Sequence, residues 1–172
     1  MKRFVKFAAL ILSLVLLCGC GKSGGAEVAD TNGDGVLTCT LEVRCDTLLG
    51  NLSKLTEGKA ALVPEDGTLL AVREVEFTGG DSVFDVFRQT LKNEKIHFEY
   101  VDASAYDSIY IEGIGNLYEF DCGPQSGWMY SVNGTYPGLG CSGYTLADGD
   151  TIVFSYTCDL GADLGAEKVY EK

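Results

Sequence analysis

The chain has 172 residues, 46% of them hydrophobic and 22% charged, which fits one globular domain on the usual scale of about 100–200 residues. Its net charge of -12 and pI near 4.4 exclude nucleic acid as a partner, because phosphate binding needs a basic patch. One histidine, no HExxH, no phosphate loop and no nucleophile motif leave nothing that reads as an enzyme.

Lys2, Arg3 and Lys6 precede an apolar run, Phe7 to Leu17, that is too short for a comfortable membrane-spanning helix. The run ends in Leu17-Cys18-Gly19-Cys20, which resembles the lipobox of bacterial lipoproteins. The resemblance implies a signal peptide over residues 1–19, cleavage before Cys20 and a diacylglycerol on its thiol. Lipid chains partition at about 0.8 kcal/mol per buried CH₂, so two or three of them anchor a protein firmly. The expected address is the outer face of the cytoplasmic membrane, in a Gram-positive bacterium, with the membrane as partner through Cys20. Loss of the three leader cations leaves a mature charge of about −15, which favours solubility.

Residues 20–37 are rich in Gly, Ser and Asp and read as a flexible tether. Asp30, Asn32, Asp34 and Gly35 fit the first half of a calcium loop, but the twelfth position is Leu41 rather than Glu. A polar linker is the better reading, and no metal site is expected.

Thr38 to Cys45 alternates, with Cys39, Leu41, Val43 and Cys45 on one face, and predicts a half-buried strand. Asp46 to Leu55 carries leucines at helical spacing and predicts a short helix. Glu57 to Gly67 reads as a loop and Ala71 to Thr78 as a second strand. After Gly79-Gly80, Ser82 and Asp85 form a capping box, and Val83, Phe84, Phe87 and Leu91 give the apolar stripe of a helix reaching about Asn93. Ile96 to Val101 is the next strand, with His97 beside Glu99 on its outer face. Tyr106 to Gly113 and Asn116 to Asp121 predict a hairpin around Gly113-Ile114-Gly115. Trp128 to Val132 leads into an Asn133-Gly134 turn, and Thr151 to Cys158 is the last strand. This order predicts an α+β fold: a β-grasp-like mixed sheet with one main covering helix, its first and last strands side by side. The domain is expected over residues 38–161, followed by a polar tail over 162–172, frayed or at most a short helix.

Five cysteines remain after processing, and an exported chain predicts disulfides. Cys39 and Cys45 lie six strand positions apart, about 20 Å, beyond the reach of about 7 Å for a bridge. Cys122 and Cys141 bracket the Trp128 hairpin, and joining them is worth about 3 kcal/mol in the chain-entropy model. If the first and last strands are parallel neighbours, Cys45 reaches Cys158 and Cys39 is left over. An alternative pairs Cys39 with Cys158. Zinc fits poorly, with no CxxC pair and no nearby histidine.

From Cys39 to about Gly161 the sequence resembles the transcobalamin-like C-terminal domain family, filed in bacteria as a domain of unknown function. The carrying segments are CTLEVRCDTLL (Cys39 to Leu49), VEFTGGDSVFDVF (Val75 to Phe87), YIEGIGNLYEFDCG (Tyr110 to Gly123), SGWMYSVNG (Ser126 to Gly134) and LADGDTIVFSYTCDLG (Leu146 to Gly161). Many bacterial members carry a further cysteine where this chain has Ser131, which accounts for the odd count. The resemblance implies a binding module for cobalamin or a related corrinoid, with Trp128, Tyr130, Asn133 and Tyr136 at the ligand face and no other cofactor. In transcobalamin-type carriers the corrinoid sits between this β domain and a helical barrel, so an exported helical-barrel protein is an implied partner.

The residues themselves agree in kind. Ten of the chain's eighteen aromatic residues fall between Phe98 and Tyr144, and flat rings with polar edges suit a macrocycle, a glycan or a protein partner equally. The residues leave Trp128 open between core and ligand face, favour the core for Tyr130, and favour turn roles for Asn133 and Asp148. The alternative function is a protein-interaction or adhesion module docking on another exported protein through the same rings. Catalysis by Asp148 and Asp150, or by a Cys39 thiol, has no supporting pattern.

Overall fold

A computed structural model describes residues 36–103 and 108–166. The leader, the lipidation position Cys20, most of the tether with its half calcium loop, Tyr106 and the end of the tail lie outside the described residues. No described helix is long and apolar enough to cross a membrane.

Strand β1 (Leu37–Arg44) buries Cys39, Leu41 and Val43, as its alternation dictates. Strand β2 (Thr68–Phe77) pairs antiparallel with it, starting three residues before the expected point. Strand β7 (Thr151–Thr157) lies on the other side of β1 in parallel, with Thr40 opposite Thr151 and Arg44 opposite Ser155. Strand β6 (Gly127–Val132) closes the sheet against β7, giving the order β2-β1-β7-β6. First and last strands are therefore parallel neighbours, and the α+β, β-grasp-like reading holds.

Helix α1 (Val83–Asn93) starts at the predicted capping box. Ser82 Oγ accepts the Asp85 N–H, and an Asp85 carboxylate oxygen accepts the Ser82 N–H at 3.1 Å. Phe87 is fully buried beneath the helix, with its ring 4.3 Å from that of Phe154 on β7 and 5.2 Å from that of Phe98. Burying a ring of this size is worth about 1.5–3 kcal/mol, so this contact fixes the helix on the sheet.

A second sheet, beyond the single one expected, consists of β3 (Phe98–Ala103), β4 (Ser108–Ile114) and β5 (Leu117–Tyr118). Its hairpin turns at Gly115-Asn116, both left-handed, rather than at Gly113-Ile114-Gly115. The segment after β1 also differs: two 3₁₀ turns, Asp46–Gly50 and Leu52–Lys54, replace the expected helix. Leu48 is buried while Leu49 and Leu52 are exposed, so the leucine spacing finds only one partner surface. Beyond β7 the Leu160 N–H donates to the Gln125 carbonyl at 2.9 Å, and the described start of the tail holds a short 3₁₀ helix, Ala162–Leu164.

The sulfur geometry brings one pair of thiols close together. Cys39, Cys45, Cys122, Cys141 and Cys158 are all thiols here. The close sulfur pair is Cys122–Cys158, at 3.4 Å, and not Cys122–Cys141, Cys45–Cys158 or Cys39–Cys158. Cys141 turns its sulfur to the Ile109 carbonyl of β4, 3.8 Å away. Cys45 follows Arg44, whose partner is Ser155, so it runs level with Tyr156 and stops short of Cys158. Cys39 lies at the opposite end of β1, opposite Val75.

Candidate functional site

An apolar cavity lies where β4 and β6 approach each other, capped by the loop from Tyr136 to Cys141. Its volume is about 280 Å³, and Ile109, Tyr110 and Ile111 of β4, Trp128, Met129 and Tyr130 of β6, and Phe154 of β7 form its walls. No charged side chain lines it. Two further clefts flank α1 and are lined mainly by polar side chains such as Asp85, Arg88 and Gln89.

Strand β6 places its rings by alternation, and each ring has its polar atom bonded to a backbone carbonyl. Trp128 is 7% exposed; its indole N–H donates to the Leu117 carbonyl at 2.8 Å, and its ring meets Tyr156 edge-on at 5.2 Å. Trp128 is thus a core residue that also contributes to a cavity wall, which resolves the alternative left open by the sequence. Tyr130 stacks on Phe154 with centroids 5.7 Å apart and donates its hydroxyl to the Leu139 carbonyl at 2.8 Å. That bond holds the capping loop down. Burial pushes the Tyr130 phenol well above its ordinary value, and it pushes Tyr136 up as well.

The capping loop, Tyr136-Pro137-Gly138-Leu139-Gly140, comes close to β4 because Gly140 has no side chain: a Cβ there would fall on the Ser108 hydroxyl. Next to it, Ser142 Oγ accepts the Ile109 N–H at 2.9 Å, fastening loop to strand. Leu139 and Tyr110 stand at the cavity with 47% and 41% of their surfaces exposed. The Tyr110 hydroxyl donates to Glu119 at 2.6 Å.

Of the four expected ligand residues, the cavity gathers Trp128, Tyr130 and Tyr136 but not Asn133. Asn133 and Gly134 form the hairpin turn with φ of 52° and 76°. The Asn133 amide donates to Asp150 Oδ1 at 2.8 Å and accepts the Thr151 N–H at 2.9 Å. Asp150 also accepts the Ala147 N–H at 2.9 Å, and Asp148 accepts the Thr38 N–H at 2.9 Å. The Asp148–Asp150 turn is therefore framework. His97 is exposed on β3, with Nε2 3.0 Å from Glu99 and 3.3 Å from the Tyr118 hydroxyl. No group of described His, Cys, Asp and Glu side chains forms a metal cluster.

Sequence reasoning missed Met129, Leu139, Phe154 and the β4 wall. The signal available was the Pro137-Gly138-Leu139-Gly140 run, a small apolar segment between aromatic Tyr136 and buried Cys141.

The described residues thus form a β-grasp-like domain with an uncharged, aromatic cavity. Residues 80–158 match the family described as a domain of unknown function, DUF4430. Among solved structures, haptocorrin in complex with Cbi aligns over 75% of this chain with TM-score 0.54 and 17% identity. The alignment spans 27% of haptocorrin's length, and at that identity it shows a shared fold. A protein from Ruminococcus gnavus described as a candidate metal-binding protein aligns over 70% of this chain and 96% of its own length, at 15% identity and TM-score 0.40. No curated protein matches the chain in sequence.

Proposed function

We propose that the chain is an exported, lipid-anchored binding module that takes cobalamin or a related corrinoid at the cavity walled by Trp128, Tyr130 and Tyr136. The observation that carries this reading is the cavity itself, apolar and aromatic, with every ring polar atom described above tied to the protein frame. Such a lining suits a flat amphipathic ligand whose polar groups stay at the edge. It does not suit an anion, since no cation lines it. Nor does it supply an acid–base pair, since burial holds the Tyr130 and Tyr136 phenols protonated.

Small-molecule pockets usually run from about 300 to 1,000 Å³, so a cavity of about 280 Å³ receives only part of a macrocycle. The remainder needs a second surface, for which an exported helical-barrel protein is the fitting partner. Anchoring through Cys20 would keep the module at the outer face of the cytoplasmic membrane. Titration of the purified chain with cobalamin, followed by the corrinoid's visible absorbance and by the fluorescence of Trp128, tests the reading. Saturable changes in both are expected, and no change at high micromolar ligand overturns it.

A second reading is a protein-docking module. The exposure of Leu139 and Tyr110 at the cavity favours it, because an apolar rim of that kind also suits a protein anchor. Recovery from solubilised membranes of one exported partner, lost on Leu139→Asp, together with a silent cobalamin titration, would select this reading.

A further inference from the structure

The close approach of two sulfurs at the base of the β6–β7 pair is unused by the cavity. Cys122 Sγ and Cys158 Sγ lie 3.4 Å apart, and a disulfide of about 2.05 Å needs them only about 1.4 Å closer. Both backbones are already fixed. The Cys122 N–H donates to Ser126 Oγ at 3.0 Å, and the Cys158 N–H donates to Asp163 Oδ2 at 2.7 Å. Ser126 Oγ also receives the Tyr156 hydroxyl at 3.0 Å, which joins the two sides. Between them, Gly127 pairs with Thr157 as the first rung of β6 on β7. The two sulfurs thus sit close together on backbones that are already held in place.

We propose that Cys122 and Cys158 are a disulfide site, the bridge closing the segment that carries β6, the capping loop and β7. The two thiols lose two electrons and two protons, and a disulfide oxidant is reduced to two thiols as the Sγ–Sγ bond forms. The other three cysteines stay reduced. Cys39, Cys45 and Cys141 are buried in the core with no sulfur partner among the described residues. Burial pushes the Cys158 thiol up to about 12, with the hydrogen bond to Cys122 adding to it. The folded thiol is thus a slow nucleophile, and the bridge forms most readily while β7 is still docking.

The test is refolding of the purified full-length chain with oxidised glutathione as the disulfide oxidant, then alkylation and chymotryptic mapping without reductant. Trypsin is unsuitable because no lysine or arginine lies between Lys95 and Lys168. Chymotrypsin cuts after Tyr130, Tyr144 and Tyr156 and separates the three cysteines. The expected product is a peptide pair joining Cys122 to Cys158, with Cys39, Cys45 and Cys141 alkylated. Its thermal midpoint should exceed that of the reduced chain by about 10 °C. That increment should persist in Cys141→Ala and vanish in Cys158→Ser. A bridge from Cys122 to Cys141 or from Cys45 to Cys158, or alkylation of both Cys122 and Cys158 after refolding, overturns the proposal. The mapping on the unsubstituted chain decides it even if a variant fails to fold.

Discussion

The cavity wall and the hairpin tip beyond it come from one strand, yet they differ in what they leave available. At the tip, the Asn133 and Asp150 side chains bond each other and the N–H groups of Thr151 and Ala147, so both serve the turn. At the wall, the indole N–H of Trp128 and the hydroxyl of Tyr130 are also occupied, but their rings still line an uncharged space. A residue type common in binding sites thus marks a candidate site only where the fold brings it to a cavity. Asn133 is exposed but spends its amide on the turn outside the cavity, whereas the largely buried Trp128 ring forms part of the cavity wall.

Four measurements can break or sharpen this contrast. Trp128→Ala removes a nearly buried ring that serves both core and wall, so denaturant unfolding should report a loss of about 3–5 kcal/mol. A loss under about 1 kcal/mol would make Trp128 a surface residue and dissolve the distinction. Asp150→Ala acts on the tip alone. It strands the Asn133 amide and the Ala147 N–H, for an expected loss of about 3 kcal/mol with the cobalamin response of the wall unchanged. A cobalamin response abolished in a folded Asp150→Ala protein would place the tip in the site.

Alkaline titration probes the buried interior next to the wall. Burial raises the thiols of Cys39 to about 11 and Cys141 to about 12, and the Tyr156 phenol to about 12. These groups are neutral in the folded chain at pH values where the unfolded chain has begun to ionise. Their contribution is complete below the unfolded values, about 8.5 for a thiol and 10 for a phenol, and is lost as pH rises through the folded ones. The thermal midpoint should therefore fall progressively from about pH 9 towards pH 12, and a flat profile contradicts the burial of these groups. Leu139→Asp makes the smallest change in stability, within about 0.5 kcal/mol for an exposed position. It should still weaken ligand binding about tenfold by placing a charge at an apolar rim. Unaltered affinity would remove the capping loop from the site.

Much of the fold was legible because it is written locally. The alternation of Cys39, Leu41 and Val43, the run Ile152-Phe154-Tyr156, the Ser82–Asp85 box and the Asn133-Gly134 turn each involve residues a few positions apart. The parallel β1–β7 neighbours followed from the fold class those elements imply. What stayed hidden is set by distant chain. Leu49 and Leu52 have helical spacing, but no element arrives to cover them, and the segment winds as 3₁₀ turns. The cysteine partners depend on the turn through Phe120 and Gly123, both left-handed, which carries Cys122 back to the end of β7. The site was read from its aromatic content, yet β4 and Phe154, which complete the wall, lie outside the hairpin that suggested it.

The position of β7 sets the order in which the chain can fold. It is the last strand among the described residues and an interior strand in space, with β1 on one side and β6 on the other. A chain halted before Thr151 leaves β1 and β6 with no shared neighbour and the Phe87 ring with no Phe154 to pack on. Closure must bring together residues as far apart as Thr40 and Thr151, the kind of non-local pairing that slows folding to milliseconds or longer. Until then the four-stranded sheet stays open between β1 and β6.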